Sequence, residues 1–196
     1  MRIGILGGTF DPPHIGHLEL ARAALDQLQL DEVMFLPAHR NPLKRDRSAP
    51  AKQRLEMVRR MVAGEAKMSV SDIEISRGGP SYMVETLMEL QMVKPGDYWL
   101  LLGSDALKGF DRWKNPDKII KLCRLGVVLR PPAIESETVG RLDPELQKRV
   151  DLIPMKQVDV SATEVRDRLA KGTQPVAPFL SPAVLQYIKQ NHLYGS

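Results

Sequence analysis

Short apolar runs alternate with amphipathic stretches along most of this chain, and this alternation restricts the possible folds more than any other feature. The apolar runs have the length of buried strands, and the stretches between them repeat apolar residues at helical spacing. Strands that alternate with helices favour βαβ units, and therefore an α/β fold with a doubly wound parallel sheet. The predicted strands are residues 2–6, 32–37, 67–75, 97–103, 124–131 and 151–155, and the predicted helices are 15–28, 49–64, 81–93, 115–122, 161–172 and 181–194.

The last part of the chain contains two helical stretches and no further strand-like run. Too few apolar residues remain there for an independent core. We therefore expect a single domain over residues 1–196, with a helical C-terminal subdomain over about residues 156–196.

The composition narrows the class of protein. Hydrophobic residues make up 43% of the 196 residues and charged residues 27%, as is usual for globular proteins. No apolar run reaches transmembrane length, and the apolar start of the chain is too short for a signal-peptide core. Together with the single cysteine, Cys123, this predicts a cytoplasmic protein without a membrane partner. The net charge of +4 suits an anionic ligand and leaves nucleic acid as an alternative that no stacking platform or recognition helix supports.

The stretch GILGGTFDPPHIGH, residues 4–17, joins the first predicted strand to the first predicted helix. Gly7 and Gly8 allow a sharp turn, and a helix N-terminus presents unpaired N–H groups to an anion. His14 and His17 lie three residues apart, so both can reach the same anion. The stretch matches neither the dinucleotide-binding fingerprint nor the P-loop, and a zinc site would need a third ligand. It predicts a phosphate site with no protein-bound metal, and two histidines without a role remain the alternative.

The same residues carry a family resemblance. GGTFDPPHIGH resembles the motif of the nucleotidyltransferase superfamily, (H/T)xGH after a first strand. The whole eleven-residue stretch is similar to the longer motif GGTFDPxHxGH of bacterial nicotinate mononucleotide adenylyltransferases. A second element, VSATEVR at residues 160–166, is similar to the family pattern ISSTxIR, with Ala162 in place of the usual second serine. The resemblance implies a Rossmann-like nucleotidyltransferase fold in which both elements hold the phosphates of ATP.

Weaker elements follow in the family's order over nearly the whole chain. NPLK at residues 41–44 resembles a loop whose lysine approaches the triphosphate, and SYMVETLMEL resembles the segment at the nicotinate end, with Met83 where threonine is common. LLGSDAL resembles a G-x-D segment near the adenylate or ribose, and Trp113 matches a tryptophan beside the pyridine ring.

The resemblance implies three sets of site residues. The catalytic set is His14, His17, Lys44 and Arg166. The ATP-binding set is Gly7, Gly8, Thr9, Phe10, His14, His17, Gly103, Asp105, Ser161, Thr163 and Arg166. The mononucleotide-binding set is Lys44, Tyr82, Thr86 and Trp113.

The implied reaction joins ATP to nicotinate mononucleotide and releases pyrophosphate, with Mg²⁺ entering together with ATP. Asp11 either reaches that metal through water or accepts hydrogen bonds in the turn, and the sequence favours neither. The alternatives are an adenylyltransferase for the amide mononucleotide or for phosphopantetheine, and a nucleotide-binding regulator without catalysis. A homo-oligomer is compatible with the sequence.

Overall fold

The elements follow the predicted alternation. The structure, a computed structural model, describes residues 1–43, 48–129, 140, 142–156, 158–172 and 175–195. The strands are β1 (Arg2–Gly8), β2 (Glu32–Pro37), β3 (Met68–Val70), β4 (Asp97–Gly103), β5 (Arg124–Leu129) and β6 (Val150–Pro154). The helices are α1 (Ile15–Gln27), α2 (Ala51–Val62), α3 (Ile73–Arg77), α4 (Met83–Val93), α5 (Ser104–Lys108), α6 (Pro116–Leu122), α7 (Pro144–Gln147), α8 (Ala162–Lys171) and α9 (Pro182–Gln190), with 3₁₀ turns at Phe110–Arg112 and Leu193–Gly195.

The strands form one parallel sheet in the order β3-β2-β1-β4-β5-β6. From β1 the chain builds outward to β3 on one side, and it then returns to place β4 against the other side of β1. The strand order therefore reverses between β1 and β4. The doubly wound parallel sheet predicted from the sequence is confirmed.

Both faces of the sheet are buried, which explains why its strands read as nearly continuous apolar runs. Along β4, Trp99 and Leu101 face one layer of the core, whereas Tyr98 and Leu100 face the other. The first layer contains α1 and α2 together with α8 and α9, and the second contains α4 and α6. The C-terminal helices thus share a core with the rest of the chain, through Val165, Leu169, Val184 and Ile188.

The prediction of one strand over residues 67–75 is wrong. Only Met68–Val70 pairs with β2, and pairing ends where the Ser71 N–H donates to the carbonyl of Phe35. The apolar alternation in the sequence shifts phase across Ser71 and Asp72, which are turn-forming residues. The Ile73 N–H then donates to Ser71 Oγ at 3.3 Å, and the chain continues as α3.

Most other predicted boundaries lie within two residues of the observed ones, and the end of the last helix differs more. The predicted helix over residues 181–194 ends at Gln190, because His192 and Tyr194 adopt positive φ angles of 50° and 60°. The predicted strand over residues 124–131 is observed as far as Leu129, and its last two residues lie outside the described part of the chain.

Candidate active site

The carboxyl ends of β1 and β4 lie side by side where the strand order reverses. In open parallel sheets, ligands bind in the crevice at this point. β1 leads through residues 9–14 into α1, and β4 leads directly into α5. α8 also begins here, since a Cβ placed on Gly16 would lie 3.1 Å from Cγ1 of Val160. The N-termini of α1 and α8 therefore bring positive dipole ends to one crevice.

The loop after β1 is shaped by Phe10, which has a positive φ of 51° and a buried ring. That ring contacts the rings of Phe35 and His17, at centroid distances of 5.8 and 4.9 Å. A Cβ on Gly8 would come within 3.1 Å of the Phe10 ring, so glycine is needed for this close approach. Oγ1 of Thr9 is buried and has no hydrogen-bond partner among the described residues, which makes it a candidate for ligand contact.

His14 and His17 are stacked at the start of α1, with ring centroids 3.8 Å apart. The backbone N–H of His14 donates to Nδ1 of His17 at 3.1 Å. Because a backbone N–H can only donate, Nδ1 must accept, and a neutral His17 carries its proton on Nε2. The capping interaction thus fixes the His17 tautomer that has a donor on the far edge of the ring.

Gly16, between the two histidines, has a packing role. A Cβ there would lie 3.1 Å from both Cε1 and Nδ1 of His14, and equally close to Val160. Such contacts are tighter than ordinary van der Waals separation, so a side chain at this position would displace the imidazole or the start of α8. The spacing of the histidine motif therefore depends on glycine for its geometry.

Arg166 brings the second sequence element to the first. Its Nη1 donates to the main-chain carbonyl of Asp11 at 2.6 Å, and its Nη2 donates to Oγ1 of Thr163 at 3.2 Å. Ser161 caps α8 by accepting from the N–H of Glu164 at 3.1 Å. The structure therefore brings together the residues predicted to bind phosphate in both elements.

Asp11, whose role the sequence left open, accepts hydrogen bonds within the fold. Its Oδ1 receives the N–H of Ala49 at 3.0 Å and the hydroxyl of Tyr194 at 2.6 Å. Its side chain is buried, and Oδ2 lies 3.8 Å from Nη1 of Arg166. Asp11 therefore accepts hydrogen bonds from distant parts of the chain, and its contact with a metal through water stays a prediction.

Arg54 is a site-organising residue that sequence reasoning missed. It is only 2% exposed, and its guanidinium donates to three main-chain carbonyls, those of Ala49, Thr9 and His39, at 2.6–2.9 Å. It thus ties the loop after β1 to the loop after β2. The available signal was its position on the apolar face of α2, since an arginine is seldom buried unless its donors are satisfied.

The remaining residues predicted to bind ATP, Gly103 and Asp105, lie at the end of β4 and the start of α5. No described atom lies within 4 Å of a Cβ placed on Gly103, so the backbone there is open to a ligand. Asp105 follows in the first turn of α5, with a side chain that is 83% exposed and 3.7 Å from Nζ of Lys108. Lys44 lies outside the described residues.

The segments predicted to bind the mononucleotide meet at the start of α4. Tyr82 and Trp113 are both half-buried. Nζ of Lys114 lies 4.2 Å from the centroid of the Tyr82 ring and 2.6 Å from Oε1 of Glu85, whose pKa it lowers by its hydrogen bond. A Cβ on Gly7 would come 2.8 Å from Cε of Met83. Met83 therefore lies over the end of β1, at the edge of the crevice.

Thr86, the fourth residue of α4, is buried against α3. It is fully buried, and its hydroxyl donates to Oε1 of Glu74 and accepts from Nη2 of Arg77, each at 2.7 Å. Burial raises the pKa of Glu74, against the lowering effect of hydrogen bonds from Thr86 and Ser81 and of the Arg77 charge. In this structure Thr86 joins α3 to α4, and its contact with a mononucleotide stays a prediction.

The described residues show neither a metal-ligand cluster nor a membrane-spanning helix. They contain no group of three or more His, Cys, Asp and Glu side chains arranged to hold a metal ion. None of the described helices is both long enough and apolar enough to cross a bilayer.

Comparison with known proteins identifies relatives over the whole chain. The family model described as cytidylyltransferase-like matches residues 5–168. Probable nicotinate-nucleotide adenylyltransferases from Herpetosiphon aurantiacus and a Roseiflexus species are 40% and 41% identical to this chain, and each alignment covers 98% of this chain and at least 97% of the relative.

A solved structure shows that the fold is shared. The Plasmodium falciparum nicotinic acid mononucleotide adenylyltransferase, complexed with NaAD, superposes with a TM-score of 0.82 at 18% identity, covering 99% of this chain and 97% of that one. The family model spans most of the sequence, and the relatives that are 40% and 41% identical span nearly all of it. This chain therefore belongs to the cytidylyltransferase-like family and groups with the nicotinate-nucleotide adenylyltransferases.

Proposed function

We propose that this protein transfers the adenylyl group of ATP to nicotinate mononucleotide, forming deamido-NAD and pyrophosphate in NAD biosynthesis. One observation carries the proposal: the stacked histidines at the start of α1 and Arg166 of α8 converge on one loop after β1. Relatives named for this activity cover nearly the whole chain.

The reaction needs positioning and charge stabilisation more than proton removal. A phosphate oxygen of the mononucleotide, already anionic near neutral pH, attacks the α-phosphorus of ATP. The new P–O bond forms as the bond to the β-phosphate breaks, and pyrophosphate leaves. Catalysis then rests on donors aimed at charge that develops in the transition state.

The described residues supply such donors. The Nε2–H of His17 would donate to a phosphate oxygen, because its Nδ1 is occupied by the His14 N–H. Arg166, with a side chain that is one-third exposed, would offset charge on the leaving phosphates. The N-terminus of α1 adds a fixed positive dipole end at the same place. Lys44 stays a predicted fourth contributor.

Mg²⁺ is expected to arrive with ATP. The carboxylate of Asp11, in the loop after β1, already accepts hydrogen bonds from Ala49 and Tyr194. We therefore expect the ion to be held mainly by phosphate oxygens and water, as is common for Mg²⁺.

The test is pyrophosphate release from ATP and Mg²⁺ with one of three acceptors: nicotinate mononucleotide, its amide counterpart or phosphopantetheine. We expect the highest kcat/KM with the nicotinate form. A higher value with either other acceptor would overturn the substrate assignment. Binding of ATP without pyrophosphate from any acceptor would instead favour a non-catalytic nucleotide-binding protein. A cytoplasmic location remains part of the proposal, supported by the single buried cysteine, Cys123.

A further inference from the structure

The 3₁₀ turn Leu193–Gly195 contributes a side chain to the loop after β1. Tyr194, in a left-handed conformation with φ of 60°, donates its hydroxyl to Oδ1 of Asp11 at 2.6 Å. A Cβ on Gly195 would contact the backbone of Ala170 at 3.7 Å, so the turn lies against α8. The last helical element of the described chain therefore connects α8, which carries Arg166, to Asp11, which lies 183 residues before Tyr194.

Asp11 accepts a hydrogen bond from Tyr194 through its carboxylate and one from Arg166 through its main-chain carbonyl. Oδ1 receives two donors, from Tyr194 and from the Ala49 N–H, and the main-chain carbonyl receives Nη1 of Arg166. Oδ2 is 3.8 Å from the same Nη1, which is too long for a hydrogen bond. Arg166 is thus held at the backbone of Asp11 without a closed, two-point ion pair to its carboxylate.

We propose that Tyr194 is a positioning residue for the anion site: by holding the carboxylate of Asp11, it keeps the guanidinium of Arg166 available to the phosphates of ATP. The inference rests on the proposed function only for the identity of the anion.

The physical reason is competition for one guanidinium. Without the phenol, Oδ1 of a buried carboxylate loses a donor, and burying an under-satisfied charge is costly. Nη1 of Arg166, 3.8 Å from Oδ2, is a charged donor close enough to replace it, and arginine pairs readily with both oxygens of a carboxylate. Such a pair would turn Arg166 inward and neutralise the charge that faces the crevice.

The surroundings of its hydroxyl keep Tyr194 a permanent hydrogen-bond donor. Burial, reinforced by the hydrogen bond to Asp11 and by its charge, raises the pKa of Tyr194 well above the usual value, while Arg166 and Arg54 oppose that shift. The phenol therefore remains protonated wherever the protein is folded at ordinary pH. The same C-terminal region also holds the first amide of α1, since the carbonyl of Phe179 accepts from the Ile15 N–H at 2.9 Å.

The experiment compares Tyr194→Phe with Tyr187→Phe. Tyr187 lies on α9 and contacts Arg60 through its ring, which phenylalanine preserves. Binding of a non-hydrolysable ATP analogue is measured by calorimetry, and KM for each substrate and kcat are measured by pyrophosphate release. We expect Tyr194→Phe to weaken ATP-analogue binding about tenfold, equivalent to one weakened charge-assisted hydrogen bond, with KM for the mononucleotide unchanged. Tyr187→Phe should bind the analogue like the unmodified protein.

A double variant separates positioning from general damage. In Tyr194→Phe, the further change Asp11→Asn keeps an oxygen for the Ala49 N–H but removes the charge that would capture Arg166. We expect it to restore most of the lost affinity for the ATP analogue. A purely structural role predicts that the second change adds to the loss, so failure of rescue overturns the proposal.

The outcomes also separate this inference from the proposed function. Equal ATP-analogue affinity in Tyr194→Phe and Tyr187→Phe would refute the positioning role even if turnover with nicotinate mononucleotide is observed. Absence of turnover with every acceptor would refute the proposed function, and the binding comparison would still decide the role of Tyr194. Failure of the unmodified protein to bind the ATP analogue would refute both.

Discussion

At the scale of single residues, one hydrogen bond decides which nitrogen of His17 can serve a substrate. The His14 N–H occupies Nδ1 at 3.1 Å, so the ring contributes to the helix N-terminus with one nitrogen and can donate with the other. The two roles of His17, capping and catalysis, can therefore be separated by substitution.

His17→Ala removes both roles, whereas His17→Asn can keep an oxygen near the position of Nδ1 and removes the distal donor. We expect both variants to lower kcat about 100-fold, the usual cost of losing one preorganised donor to a developing charge. KM for the mononucleotide should change little, because the contact strengthens in the transition state. Initial rates of pyrophosphate release measure both parameters. Recovery of kcat in His17→Asn would show that the capping bond, and not the Nε2 donor, is what His17 supplies.

Gly16 offers a second test at the residue scale, because its substitution should affect stability little and activity strongly. Alanine in a helix is normally favoured over glycine by about 0.5–1 kcal/mol. Here its Cβ would lie 3.1 Å from the imidazole of His14 and from Val160. We expect Gly16→Ala to leave the Tm within a few degrees but to lower kcat at least tenfold, since small misplacements of catalytic groups are costly. Unchanged kcat would mean that neither His14 nor α8 needs its present position.

At the scale of elements, Arg54 of α2 joins the loop after β1 to the loop after β2, which are distant in sequence. Its three acceptors are main-chain carbonyls, so no other side chain of similar size can satisfy them all. Arg59, on the same helix, is about half exposed and lies 3.6 Å from Asp72, which makes it a matched control.

Arg54→Met should lower the free energy of unfolding by about 3 kcal/mol, because buried carbonyls lose charge-assisted hydrogen bonds. Arg59→Met should cost less than about 0.5 kcal/mol, as exposed ion pairs contribute little. Urea unfolding followed by circular dichroism measures both. Equal costs for the two variants would contradict the organising role of Arg54.

The same scale shows what the sequence predicts and what it does not. Strand and helix positions were predictable because burial on both faces of the sheet leaves long apolar runs between amphipathic stretches. The edge strand β3 was predicted too long, since it pairs on one side only and the phase shift at Ser71 and Asp72 was not recognised as a turn. Arg54 was missed because its partners are carbonyl groups in distant loops, which leave no side-chain pattern in the sequence.

The candidate active site also combines residues that the sequence predicts with a residue that it does not. The resemblance placed His14, His17 and Arg166 at one anion site, and the structure brings them together. Tyr194 could not be predicted, because its contact with Asp11 depends on how α8 and the final 3₁₀ turn pack against the sheet. Contacts across such a distance follow from tertiary packing and not from local periodicity.

At the scale of the whole molecule, a separate polar cluster lies at the amino ends of the strands, opposite the crevice. Asp151 in β6 accepts two hydrogen bonds from Arg124 in β5, at 2.6 and 2.8 Å, and one from Nε1 of Trp99 in β4 at 2.8 Å. All three residues lie near the amino ends of their strands, whereas the crevice lies at the carboxyl ends. The cluster joins three strands without contacting the candidate active site, so stability and catalysis should respond to it independently.

Asp151 also gives the cluster a defined dependence on pH. Burial alone would raise the pKa of Asp151, but hydrogen bonds from Arg124 and Trp99 and the charges of Arg124 and Arg2 outweigh burial and hold that pKa below its usual value. A carboxyl whose pKa is lower in the folded state stabilises the fold above its unfolded pKa, about 3.9, and loses this contribution as the pH falls through the folded pKa.

Asp151→Asn should therefore lower the free energy of unfolding by about 1 kcal/mol at pH 7, a modest value because the cluster is partly exposed. The difference from the unmodified protein should shrink as the pH falls below about 4, where the carboxyl of Asp151 is protonated first in the unfolded state and then, below its lowered folded pKa, in both states. Denaturant unfolding at several pH values measures the difference, with Asp72→Asn as the exposed control. kcat/KM for both substrates at pH 7 should remain unchanged, because the substitution lies at the amino ends of the strands, opposite the crevice. A stability difference that persists unchanged at pH 2–3 would show that packing or register, and not the ionised carboxylate, holds these three strands together.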